Sequence, residues 1–178
     1  GTMELLHLPE LLFGKVTADA QLFYRDASRI ARDGLDHFIV QIFLDGGGAL
    51  EDGAMVQRGD LLVIDMGRAH ARNSQAFSHL SFVVPRDRDP ELTQVLELLH
   101  DRRLPMTHPA VRLLSLQMIE SAELQGDLTR PQAAHATEQA LALLKAMIRD
   151  DPALRHGVNR PANLALLRAI QRDIANRL

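Results

Sequence analysis

Three of the four histidines in the first half of the chain, His37, His70 and His79, are candidates to ligate a metal or pass a proton. The chain contains no cysteine, which excludes thiolate metal sites, thiol nucleophiles and disulfides. His70 ends a distinctive run, Gly59-Asp60-Leu61-Leu62-Val63-Ile64-Asp65-Met66-Gly67-Arg68-Ala69-His70. The two glycines permit turns at either end of a short inward-facing strand. A mononuclear site takes three or four protein ligands, however, and one or two isolated histidines do not make one. No metal and no other cofactor is therefore expected. No nucleophile–base pair is legible either, so no catalytic residue is assigned. A neutral imidazole has another use, because it offers a polar small molecule one donor and one acceptor.

That use needs a wall. Residues 35–44, LDHFIVQIFL, have the length and the Ile, Val and Phe content of a strand. One face would carry Phe38, Val40, Ile42 and Leu44, and the other His37, Ile39, Gln41 and Phe43. Pockets have mostly apolar walls with a few polar groups, so the mixed face fits a ligand cavity. It equally fits a partly solvated face over an apolar core. Tyr24 and Arg25 point oppositely if 21–31 is a strand, so at most one of them lines a cavity. The candidate ligand-binding residues are thus Tyr24, His37, Ile39, Gln41, Phe43 and His70. Arg29 and Arg32 with Asp33 and Asp36 suit either an anion or simple surface ion pairs. Arg86-Asp87-Arg88-Asp89 reads as the solvated mouth of a helix. Arg58-Gly59-Asp60, an adhesion tripeptide in secreted proteins, reads here as a turn entering a strand.

The elements that must hold these residues change character at Pro85. Before it, Leu61–Ile64 and His79–Val84 read as further strands, and residues 21–31 as strand by context. After it, Asp89-Pro90-Glu91 is a helix start followed by Leu92, Val95, Leu96 and Leu99 at helical spacing. Thr107 with Pro109 predicts a second helix to about residue 124, and Thr129 with Pro131 a third to about 149. Residues 151–163 read as a linker. Residues 164–178 begin another helix, with Leu167, Ile170, Ile174 and Leu178 in one stripe.

Hydrophobic residues make up 46% of the 178, enough for a core. The net charge of −3 argues against a basic nucleic-acid wrapper. Residues 1–104 carry 11 Lys and Arg against 16 Asp and Glu, and the remainder carries 9 against 7, so the acidic half is a poor DNA binder. No apolar run approaches a membrane span and no secretory signal is visible, so no membrane contact and a cytoplasmic setting are expected. Gly1-Thr2 ahead of Met3 looks like a cloning remnant, and part of a longer protein is expected.

Residues 59–73 resemble the second sequence motif of the cupin superfamily, with Asp65 in place of a proline and Asn73 one place early. The first cupin motif is present only as His37, with Ile39 standing where that motif has a glutamate ligand. A metal-free cupin barrel followed by helices resembles the bacterial AraC-type transcription regulators. The resemblance rests on Arg32-Asp33-Gly34-Leu35-Asp36-His37, on Gly59-Asp60-Leu61-Leu62-Val63-Ile64-Asp65, and on Val83-Val84-Pro85-Arg86. It covers roughly residues 5–178.

It implies an α+β fold in which a cupin-like, jelly-roll β-barrel at 1–88 binds a small-molecule effector. A helical region at 89–150 would pair two copies into a homodimer through residues 108–149. Residues 164–178 would be the first helix of a DNA-binding domain, so DNA contact would come only from a missing C-terminal part. The alternative is a cupin-fold enzyme with an atypical metal site drawing on His37, His70 and His79. A third reading is a pure dimerisation module whose barrel is filled by side chains.

Overall fold

Period-two alternation from His37 onward puts Phe38, Val40 and Ile42 on one side of a strand and Gln41 and Phe43 on the other. The architecture is organised around that division. The computed structural model describes residues 1–8, 11–50, 53–124 and 126–150, with backbone only at 6–8 and 148–150. The strands are β1 (Thr2–Leu8), β2 (Leu11–Ala18), β3 (Gln21–Arg25), β4 (His37–Gly46), β5 (Leu61–Asp65), β6 (His70–Ser74), β7 (Phe77–Pro85) and β8 (Arg103–Leu104). The helices are α1 (Ala27–Asp33), α2 (Pro90–Leu99), α3 (Pro109–Glu123) and α4 (Arg130–Asp150). The expected linker at 151–163 and helix at 164–178 lie outside the described residues.

Six strands form one antiparallel sheet in the order β1-β2-β7-β4-β5-β8, and β3 pairs with β6 in a second, two-stranded sheet. The α+β expectation is met by this mostly antiparallel sheet and its helices. The closed jelly-roll is not what is observed: among the described residues no sheet closes on itself, and the larger one ends in two edges, β1 and β8. One face of it carries Phe38, Val40 and Ile42 with Leu61, Val63, Leu80 and Phe82, all buried against α2, α3 and α4. Leu96, Leu114, Met118 and Leu144 are the helical side of that contact, so sheet and helices share one core. The other face carries a smaller cluster of Phe43, Val56, Leu62 and Phe77.

Local chemistry corrects two expectations. The strand predicted over 21–31 stops at Arg25, because the Asp26 side chain accepts from the Arg29 N–H at 2.8 Å and caps α1. The second long helix is not capped by Thr107. His108 occupies the cap position without a side-chain bond, and Pro109 at the first helical position brings no N–H that needs a partner. Asp89 does cap α2, accepting from the Leu92 N–H at 3.0 Å.

The acid–base run after β7 is no solvated mouth. Arg86 is 19% exposed, and its guanidinium pairs with Asp36, Asp65 and Glu97, the last at 2.8 Å. It also lies over the Phe38 ring, 4.2 Å from the centroid. Gly67 is needed here for space: a Cβ would stand 3.1 Å from oxygens of Asp36 and Asp65 and 3.2 Å from Arg86 Nη2. Gly59 is needed for conformation, with φ at +82° in the turn before β5. The neighbouring Asp60 is buried and accepts from the Gln57 N–H (2.8 Å), Arg103 (2.9 Å) and the Met106 N–H (3.1 Å). The Arg58-Gly59-Asp60 carboxylate is thus committed inside, where it ties the turn to the approach of α3.

Replacing Arg86 by Met leaves Asp65 and Glu97, 2% and 8% exposed, without their shared cation. Urea unfolding is expected to lose about 3–5 kcal/mol. Arg86→Lys should recover only part of this, since one ammonium cannot replace a planar fork. A loss below about 1 kcal/mol, the scale of a surface pair, would show that the cluster does not hold the fold.

Candidate functional site

A half-enclosed cavity lies between the two sheets, over the face of the large sheet that does not meet the helices. Its apolar walls are Phe43 from β4, Ile64 from β5, Phe77 from β7 and, from the small sheet, Phe23. Its polar lining is Gln41, His70, Arg72, Ser74 and His79, with Asp101 at the turn after α2. The free space between these side chains is about 40 Å³, room for the centres of a few waters.

Strand pleating explains the set. His70, Arg72 and Ser74 alternate along β6 and share one face, and Phe23 faces them from β3. Tyr24, the next residue, points away and is 59% exposed. Of the six residues named from the sequence, Gln41, Phe43 and His70 line the cavity, and Tyr24, His37 and Ile39 do not. His37 and Ile39 sit on the same face of β4 but nearer its start, half-buried beyond the cavity's end. The inward partner of Tyr24 is Arg25, which is not free for a ligand. It makes a two-pronged pair with Asp33 at 2.6 and 2.7 Å and donates to the Met66 carbonyl at 2.8 Å. That hydrogen-bonded pair raises the guanidinium pKa and holds the Asp33 carboxyl far below its usual range. Arg29 and Arg32 are exposed and gather no cradle.

His79 is the centre of the polar lining. It is buried, stacks on Phe77 with centroids 4.9 Å apart, and meets the edge of Phe43 at 5.4 Å. Its Nε2 is 3.2 Å from Gln41 Nε2 and its Nδ1 2.9 Å from Ser81 Oγ. A neutral ring satisfies both: Nε2 accepts from the Gln41 amide and Nδ1–H donates to Ser81. Burial, and then the Arg72 charge, push its pKa down to about 4. His37 and His100 are also pushed down, burial first in each case. Arg72 is pulled below its ordinary value by burial, with the Asp101 charge opposing.

Three atoms in this lining stay unanswered. Gln41 Oε1 and the Nε and Nη2 atoms of Arg72 are buried and find no hydrogen-bond partner among the described residues. Such orphans cost free energy and call for an explanation. The histidines do not supply one by way of a metal: among the described residues no three His, Asp or Glu side chains gather as a coordination site requires.

The sheet order and helices can now be set against known structures. The chain matches the crystal structure of the AraC-like transcriptional activator CuxR with a TM-score of 0.72 at 17% identity, over 81% of this chain and 54% of that one. It has the fold of part of an AraC-like activator. The resemblance drawn from the motifs is met at the level of the fold, and the chain spans about half the length of that solved protein. A second match, an RmlC-like cupin protein from Desulfovibrio desulfuricans, covers 47% of this chain and 81% of that one at 20% identity. Its TM-score of 0.33 is too low to inform the fold. No protein-family model and no curated protein matches the sequence. Among the described residues no helix is long and apolar enough to cross a membrane.

The His79 environment sets a pH dependence. With a folded pKa near 4 against about 6.5 unfolded, the folded chain binds fewer protons. Stability from this group is whole above about pH 6.5, falls as pH drops towards about 4, and then levels. The difference amounts to about 3 kcal/mol. Urea unfolding of His79→Gln should lack that much of the parent's loss between about pH 7 and about pH 4. Parallel pH profiles for the two proteins would show that His79 titrates freely.

Proposed function

We propose that this chain is the effector-sensing and dimerisation part of an AraC-type transcription regulator, binding a small molecule between its two sheets. The observation that carries the reading is the cavity itself: aromatic walls around buried polar atoms that have no partner among the described residues. A site built only for packing would be lined by groups that satisfy one another. His79, with both ring nitrogens engaged, serves here as a fixed polar wall, and no catalytic step is assigned to it. The two facing sheets take the place of the cupin barrel, the small one acting as its cover.

The route from cavity to helices is short. Asp101 lines the cavity with φ at +58°, directly after α2 and His100. The Asp65 N–H donates to His100 Nδ1 at 3.0 Å, and α2 is tied to α4 by Asp89–Lys145 and Arg88–Glu138. A molecule that prefers one arrangement of Asp101 biases the helices by its difference in affinity. In α3, Leu113 and Leu116 are 58% and 45% exposed, which suits the pairing of two copies through residues 108–149. Contact with DNA is assigned to none of the described residues.

Native mass spectrometry of the 178-residue chain is expected to give a dimer, and a retained small molecule where one co-purifies. Leu113→Glu with Leu116→Glu should yield monomers by analytical ultracentrifugation while leaving unfolding stability within about 0.5 kcal/mol per site, as befits exposed positions. A parent that sediments as a monomer at all concentrations would end the dimer assignment.

A further inference from the structure

We infer, resting on that sensing role, that the cavity selects a small organic monocarboxylate with a flat apolar body, whose carboxylate is gripped by Arg72. Arg72 is the cation among the cavity's lining residues. Its Nε and Nη2 are adjacent donors on one edge of the guanidinium, both buried and both without a partner. That edge presents two parallel N–H groups at the spacing of two carboxylate oxygens. Leaving them unmet is costly in a folded protein, so an acceptor pair from outside is the natural complement.

Competing explanations for Arg72 fail on the same geometry. Its Cζ lies 6.0 Å from the Phe43 centroid, the outer limit of a cation–π contact, and this does not satisfy the N–H donors. Asp101 acts on it only through space; among the described residues no ion pair joins them. Asp33, which could have served as a fixed counter-ion, is taken by Arg25.

The remaining lining narrows the body of the ligand. Phe23, Phe43 and Phe77 line the walls, and the free space of about 40 Å³ holds a carboxylate group and not a whole ring, so a flat apolar body would rest against these side chains in the open mouth of the half-enclosed cavity. Gln41 Oε1, held while its amide nitrogen faces His79, is an unpaired acceptor suited to a hydroxyl on the ligand. A phosphate fits less well, because it would need more donors than one guanidinium edge beside a neutral His79 provides.

Benzoate and 4-hydroxybenzoate are suitable acid probes, with benzamide as the neutral isostere and inorganic phosphate as the second anion. Ligand-observed NMR and calorimetry on the 178-residue chain should show the acids binding, 4-hydroxybenzoate the tighter, and benzamide and phosphate at least tenfold weaker. Arg72→Met should weaken the acids about 10- to 100-fold while leaving the unliganded melting temperature equal or higher, since it removes a buried charge with no partner. Asp101→Asn should tighten them by removing a like charge. Benzamide binding as well as benzoate, or phosphate binding better, overturns the carboxylate assignment and leaves the sensing role standing. Acid binding undiminished in Arg72→Met, or a lowered melting temperature in that variant, overturns the role of Arg72. If none of the four probes binds, the carboxylate assignment falls, and the sensing role is decided separately by whether native mass spectrometry finds a retained small molecule.

Discussion

Arg86 is where the two layers of this protein are joined. It sits at the end of β7 and reaches Asp36 ahead of β4, Asp65 at the end of β5 and Glu97 inside α2, with its flat face on Phe38. Three converging carboxylates, two of them buried, would repel one another without a planar cation among them. The cluster therefore fixes the ends of three neighbouring strands and the helix above them relative to one another. Gly67 lets the chain pass close enough for this to happen. Asp60 makes a comparable tie at the opposite end of β5, towards β8 and α3. Between these two polar anchors the apolar face of the sheet meets α2, α3 and α4 in one register, because a shift of one residue would turn the cavity face inward.

The same strands carry two opposed demands. Their helix-facing residues, such as Val40, Leu61 and Phe82, are buried and apolar apart from the Asp65 end of β5, and supply the stability. Their other face holds Gln41, His79 and, from β6, Arg72, whose burial costs free energy. A neutral His79 and an unpaired Arg72 are tolerable only because the helix-facing core is continuous and well filled. The cavity is thus a local deficit offset by its reverse side.

Much of this division was legible from residue order. The alternation in 35–44 separated Phe38, Val40 and Ile42 from Gln41 and Phe43, and Asp89-Pro90 marked α2 to the residue. The glycine spacing of 59–67 located β5 and pointed at His70. What escaped did so for physical reasons. Arg72 and Ser74 share the face of His70 at period two, but nothing in the polar run His70–Ser74 marks it as a strand, which it becomes as β6. Parity puts Tyr24 opposite Phe23 and Arg25 without saying which face is inward, and the pairing of β3 with β6 sets Phe23 beside Arg72 on the cavity side. Arg86 reads as one of four alternating charges, and no local pattern says that its partners lie 11, 21 and 50 residues away. Side-chain pairing across a fold is a property of topology, which composition and period do not encode.

Asp101 brings these threads together. A residue other than glycine at positive φ is under some strain, modest for Asp and sustained by its surroundings. Here the Asp101 N–H donates to the Val63 carbonyl at 2.8 Å, which holds the turn against the middle of β5. Its carboxylate faces the cavity that also contains Arg72, yet the pair does not close. The turn at the end of α2 is held in an uncommon conformation beside a charge that acts on it without an ion pair. Coupling of this kind needs no wire through the core, only a joint that belongs to both the cavity and the helix.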